Sequence, residues 1–144
     1  MSVELRSEPF DPWRELPAWQ ARAFAPGSHG ATAAFVGTMR DFNDDDAVSS
    51  MFLEHYPGMT ERALEAIVDE QVAAEDLLGA LVIHRVGTIT PGEPIVLVAV
   101  WSAHRREAFA ACRAIMEALK SKAPFWKREE RASGSRWVER NTPG

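Results

Sequence analysis

Three lysines stand in the chain, Lys120, Lys122 and Lys127, all within eight residues, against 13 arginines spread along its length. An amine loses its proton when buried or crowded by cations, and so can serve as base, acid or nucleophile; a guanidinium cannot. Lys120 falls near the end of a segment with helical periodicity, at the border of its apolar stripe. Lys127 follows the break at Pro124, on a returning strand. The two can therefore converge, and ammonium groups held close depress each other's pKa. Lys122 points elsewhere. The plainer reading of such a cluster is a solvated helix end.

A second group suits an anion. His104 and Arg105 open the same helix, whose first turn also offers free backbone N–H groups. The spacing sets Arg105 on the face of Phe109, Cys112 and Met116, so a cation there needs either a buried carboxylate or a bound phosphate. Arg40 ends a strand and opens an acidic loop, DFNDDD at 41–46, where Asp41 or Asp44 is its simplest partner. Cys112 reads as a small core residue. His29, His55 and His84 have no metal-ligand spacing, and no glycine-rich phosphate loop, serine elbow or HExxH is present.

The elements that must carry these residues alternate irregularly. A short strand is expected at 3–8, and a helix start at Asp11-Pro12, with Pro17 dividing that region into two short turns. Strands follow at 30–39 and 50–55. A helix capped by Thr60 runs to about residue 76, on a stripe of Leu64, Ile67, Val68 and Val72. Strands at 80–86 and 94–101 flank the turn TPGE and make an antiparallel pair. Ser102 caps the helix that reaches Lys122, with Phe109, Cys112, Met116 and Leu119 as its apolar stripe. Strands at 125–131 and 136–140 close the chain. The pattern is α+β, with antiparallel strands and two main helices.

Size and charge limit the alternatives. The 144 residues, 46% hydrophobic, make one globular domain. The longest apolar run, residues 95–101, is too short to span a bilayer, and the N-terminus has no signal-peptide pattern, so the expected compartment is the cytoplasm. A lone cysteine excludes an internal disulfide framework. The net charge of −5 disfavours a general nucleic-acid binder. Residues 1–100 carry −10 and residues 101–144 carry +5, so the basic third is a local anion site on an acidic protein.

Six segments resemble the catalytic (large) subunits of molybdopterin synthase, the MoaE family: FVGTMRDFN at 35–43, LEHYPGMTERAL at 53–64, IHRVGTITPGE at 83–93, SAHRREAF at 102–109, LKSKAPFWKREE at 119–130 and RWVE at 136–139. They cover most of residues 30–140 in the family's order; residues 1–28 are less distinctive. The resemblance implies an α/β-hammerhead fold and a homodimer. A small ubiquitin-like subunit docks on each copy, giving a heterotetramer. It further implies conversion of a cyclic pyranopterin monophosphate, precursor Z, to molybdopterin. Two sulfurs enter as a dithiolene, delivered as a thiocarboxylate on the small subunit's C-terminal Gly-Gly. No cofactor or metal is implied.

By the same resemblance, Lys120 is the catalytic lysine and Lys127 the second active-site lysine. Arg40, His104 and Arg105 belong to the substrate pocket, with Thr38, Met39, Arg128 and Glu129 adjoining. The His-Arg pair is expected from the neighbouring subunit. The loop after Arg40 is more acidic than the family's usual sequence. The basic third fits a phosphorylated pterin, and a buried lone thiol fits an external sulfur source. The competing reading is a non-catalytic anion- or nucleotide-binding regulatory module, which needs arginines but no lysine of shifted pKa.

Overall fold

The computed structural model describes residues 2–43, 46–132 and 134–138. Two strands are apolar along nearly their whole length, β5 (Gly79–Arg85) and β7 (Pro94–Ser102), and they pair antiparallel at the centre of a four-stranded sheet. Such sequences need cover on both faces. β1 (Ser2–Arg6) joins β5 in parallel at one edge, and β2 (Ala31–Thr38) joins β7 antiparallel at the other, in the order β1-β5-β7-β2.

One face of this sheet is covered by α1 (Pro12–Ala23), which sets Leu16 and Trp19 against Leu81, Ile83, Leu97 and Trp101. Trp19 stacks on Trp101 at 4.8 Å, and the Trp101 indole N–H donates to Gln20 Oε1 at 2.9 Å. Asp11 caps the helix through the Trp13 N–H, and Pro12 sits in the first turn. Pro17 does not divide the segment as expected from its sequence. The ring removes one helical hydrogen bond, but packing of Leu16 and Trp19 on the sheet offsets that loss. A third helix is therefore added to the two anticipated.

The opposite face is covered by α2 (Met59–Ala74) and α3 (Arg105–Lys122). Their contact with Ala80, Val82, Val98 and Val100 forms the main core. Both expected caps move. Gly58, at φ +84°, precedes α2, and its N–H donates to Glu61 Oε1 at 3.1 Å. Thr60 lies fully buried inside the first turn, accepting from the Tyr56 N–H at 2.9 Å. Ser102 ends β7, so His104 takes the cap position of α3.

The buried stripe of α3 is Ala108, Ala111, Cys112, Ile115 and Leu119. Phe109 is 69% exposed and Arg105 is exposed, so neither follows the core-facing stripe expected of them. Small alanines let the helix approach the sheet closely, which rotates the large Phe109 outward, about 100° from Ala108. Close approach recurs at Gly30, where a Cβ would stand 2.2 Å from the Ala103 carbonyl oxygen.

A second sheet stands beside the first. β4 (Asp46–His55) pairs with β3 (Phe42–Asn43), with β6 (Gly87–Ile89) and with β8 (Phe125–Arg131), and β9 (Gly134–Val138) completes it. Within the expected acidic loop, Phe42 and Asn43 pair with Ala47 and Asp46 as strand, and residues 44 and 45 lie outside the described set. Residues 139 and 140 of the expected last strand also lie outside it. The fold is α+β and mostly antiparallel, the β1–β5 pair being parallel. Among the described residues no helix is long and apolar enough to cross a membrane.

Candidate active site

A cleft of about 960 Å³ opens where the two sheets and the C-terminal end of α3 meet. Pro124 disfavours helix at Ala123, so α3 ends at Lys122 and the chain turns directly into β8 at the cleft's edge. Lys120 enters from the last turn of α3, and Lys127 from the third residue of β8; both line the cleft. Lys122 is exposed. Burial pushes the Lys127 amine below the usual lysine range. The Lys120 charge acts in the same direction, and Glu129 opposes both. The convergence anticipated from the break at Pro124 is therefore present.

Strand alternation sorts the rest of β8. Phe125, Lys127 and Glu129 face the cleft. Glu129 is buried and accepts from Arg131 Nε at 2.9 Å and from its Nη2. Arg128 points to the other face, its guanidinium 5.5 Å from the Phe52 ring centre and 5.6 Å from that of Trp137. It does not line the cleft itself but packs on Trp137, which does.

Thr38, Met39 and Arg40 contribute the wall opposite β8. The Met39 N–H donates to the Glu93 carbonyl at 3.0 Å, and its carbonyl accepts from the Gly92 N–H at 2.9 Å. That turn is itself fixed. Glu93 Oε1 accepts from the Thr90 N–H and hydroxyl, which holds its carboxyl below the usual range. Buried Arg85 donates to the Thr88 carbonyl at 2.7 Å and lies 3.7 Å from Glu93. Arg40 leaves this clamp exposed, with no carboxylate partner among the described residues.

His104 and Arg105 are not brought to the same cleft. They stand at the far end of α3, 15 residues from Lys120, or roughly 22 Å along the axis. One flank of the helix carries Arg105, Phe109, Met116 and Lys120 in succession. Its C-terminal half lines the cleft, while at its N-terminal half Arg105 and Phe109 are exposed.

Sequence reading missed His84, which lines the cleft from the end of β5. Its ring stacks on Phe125 at 4.2 Å and 20°, and Nδ1 lies 2.8 Å from the Arg85 carbonyl. Burial lowers its pKa to about 4, with the backbone bond opposing and Lys127 adding to the shift. The imidazole is therefore neutral, with its proton on Nδ1. The available signal was a pair of polar residues, His84 and Arg85, closing an otherwise apolar strand, GALVIHR. Cys112 is buried as expected, and burial pushes its thiol up to about 11. That thiol supplies no nucleophile at neutral pH.

Comparison with known proteins places this geometry. The chain is 55% identical over 138 residues to the molybdopterin synthase catalytic subunit of Ralstonia nicotianae, covering 96% of this chain and 77% of that protein. The structure matches a molybdopterin biosynthesis MoaE protein from Burkholderia ambifaria at 43% identity and TM-score 0.79, over 99% of this chain and 92% of that one. It shares its fold, at 18% identity and TM-score 0.79, with a chain from a complex of subunits 1 and 2 of molybdopterin-converting factor from Helicobacter pylori, over 97% and 92% of the two chains. The family model for MoaE protein matches residues 5–122, and the chain belongs to that family.

Proposed function

We propose that this chain is the catalytic subunit of a molybdopterin synthase, a sulfurtransferase of molybdenum cofactor biosynthesis. The observation that carries the reading is the paired amines of Lys120 and Lys127 in one cleft, the second half-buried and lowered in pKa. The substrate is precursor Z. Each sulfur arrives as the thiocarboxylate of a small subunit's C-terminal Gly-Gly; as the carbon–sulfur bond breaks, the acyl carbon takes an oxygen from water and the small subunit departs as a carboxylate. Two deliveries complete the dithiolene. The Helicobacter pylori complex of two subunits is the precedent for such a partner.

Lys120 serves as general acid and base at the reacting centre, and Lys127 sets its electrostatics and stabilises developing oxyanions. Glu129, held by Arg131, limits how far the Lys127 amine is driven toward neutrality. Arg40 meets the phosphate, with Thr38 and Met39 shaping the wall. His104 and Arg105 complete the site from a second copy of the chain. Their distance from this copy's Lys120 supports that arrangement, as does the exposed Phe109 beside them. The assembly is a homodimer of large subunits within a cytoplasmic heterotetramer. The sulfur source is external, in keeping with the buried, protonated Cys112.

Reconstitution tests the reading. The purified chain, a thiocarboxylated small subunit and precursor Z are expected to yield molybdopterin in a single turnover. Tight binding of precursor Z or nucleotides without sulfur transfer would instead identify an anion-binding module.

A further inference from the structure

The cleft holds a polar group that the proposed chemistry leaves unused. His84, next to last in the central strand β5, is 9% exposed and reaches the cleft among Phe125, Met116 and Lys127. Its ring is held twice: by the stack on Phe125 at 4.2 Å and by the Nδ1–H donated to the Arg85 carbonyl at 2.8 Å. That carbonyl belongs to the main chain of β5, where Arg85 pairs with Arg6 of β1, so the acceptor is held by the sheet. The bond assigns the proton to Nδ1 and leaves Nε2 as a bare lone pair.

An oriented acceptor in a cleft whose other side-chain nitrogens, those of Arg40, Lys120, Lys127, Trp126 and Trp137, are all donors has a specific use. Arg40, Lys120 and Lys127 can only donate while charged, so they read phosphate and carbonyl oxygens. Glu54 and Glu129 accept, but Glu129 is already occupied by Arg131 and the Glu54 side chain is exposed. Among the described residues, His84 is the one side chain of β5 that lines the cleft. We propose that Nε2 of His84 accepts a hydrogen bond from a ring or exocyclic N–H of the bound pterin, making His84 a substrate-orienting residue. This rests on the substrate named above and adds to it the group that fixes which edge of the ring system faces β5.

A neutral acceptor behaves differently from a cationic one. The charged and titratable groups around the cleft are Arg40, Glu54, Tyr56, Lys120, Lys127 and Glu129. Their protonation is common to parent and variant, so the ratio of the two affinities isolates His84. The contribution of an uncharged imidazole to that ratio is constant from pH 5.5 to 8. A His84 that bound phosphate as a cation would contribute more as the pH fell.

The test measures precursor Z binding to the full chain by titration calorimetry, for the parent, His84→Phe and His84→Gln. Phe keeps the stack without the acceptor, and Gln restores an acceptor at similar reach. About a 10-fold loss is expected for His84→Phe, with recovery to within about 3-fold for His84→Gln. The parent-to-Phe ratio stays flat between pH 5.5 and 8. In the ¹⁵N-labelled parent, the Nε2 resonance moves on adding precursor Z while Nδ1 stays protonated, which needs no variant to fold. Unchanged affinity in folded His84→Phe, a ratio rising toward low pH, or a stationary Nε2 resonance would each overturn the assignment alone. Failure of the parent to bind precursor Z would overturn the substrate reading and this assignment with it.

Discussion

Acidification should unfold this protein partly through one imidazole. His84 has a folded pKa of about 4 against an ordinary value of 6.5. The unfolded chain therefore binds the proton that the folded chain refuses. Stability attributable to the neutral ring is complete above pH 6.5 and falls as the pH drops toward 4. A difference of about 2.5 pKa units corresponds to roughly 3 kcal/mol, with a steepest slope near 1.4 kcal/mol per pH unit. Because the ring is almost fully enclosed, solvent screening removes little of that figure. For a domain of this size it amounts to roughly 10 °C in Tm.

Urea denaturation of the parent and of His84→Phe, at half-unit intervals from pH 4 to 8, isolates the effect. The substitution keeps the stack on Phe125 and removes the titration. It also removes the Nδ1–H bond to Arg85, a roughly constant offset of about 1 kcal/mol. The difference between the two stability curves should therefore change by roughly 3 kcal/mol across the window, in favour of the variant at acid pH. Parallel curves would show that the ring is solvated and would refute the burial argument.

Four further outcomes follow from the same structure. Lys120→Arg should abolish single-turnover molybdopterin formation by ~10²-fold or more while precursor Z still binds; Lys127→Arg should lose less, and Lys122→Ala almost nothing. Cys112→Ala should transfer sulfur normally at a stability cost of about 1 kcal/mol, read by urea midpoint, since the thiol is buried and protonated at neutral pH. Mixing inactive His104→Ala and Lys120→Ala chains should recover part of the activity after verified subunit exchange, and no recovery would speak against a site shared between copies. Thr60→Val should cost about 1–3 kcal/mol in thermal unfolding, because the buried hydroxyl accepts from Tyr56 and reaches the Pro124 carbonyl at 3.4 Å.

The sequence by itself determined the strands at the centre and the break at the cleft's edge. Residues 80–86 and 94–101 are apolar enough to demand cover on both faces, and Pro124 disfavours helix at the residue before it and removes a backbone donor. It also determined that Lys120 and Lys127 lie on either side of that break. Local pattern misread α1, because Pro17 weakens a helix that packing on Trp101 restores. It misread Phe109 and Arg105, because periodicity finds a stripe but not which edge of it meets the sheet. The alanines of α3 decide that through close approach, which no single-helix pattern contains. Only the tertiary structure separated Arg128 from Glu129 and His104 from Lys120, since strand alternation and the length of α3 act in space. The role of His84 was the least legible of all. Its neutrality, tautomer and aim come from Phe125, Arg85 and Lys127, and of these only Arg85 is its neighbour in the chain.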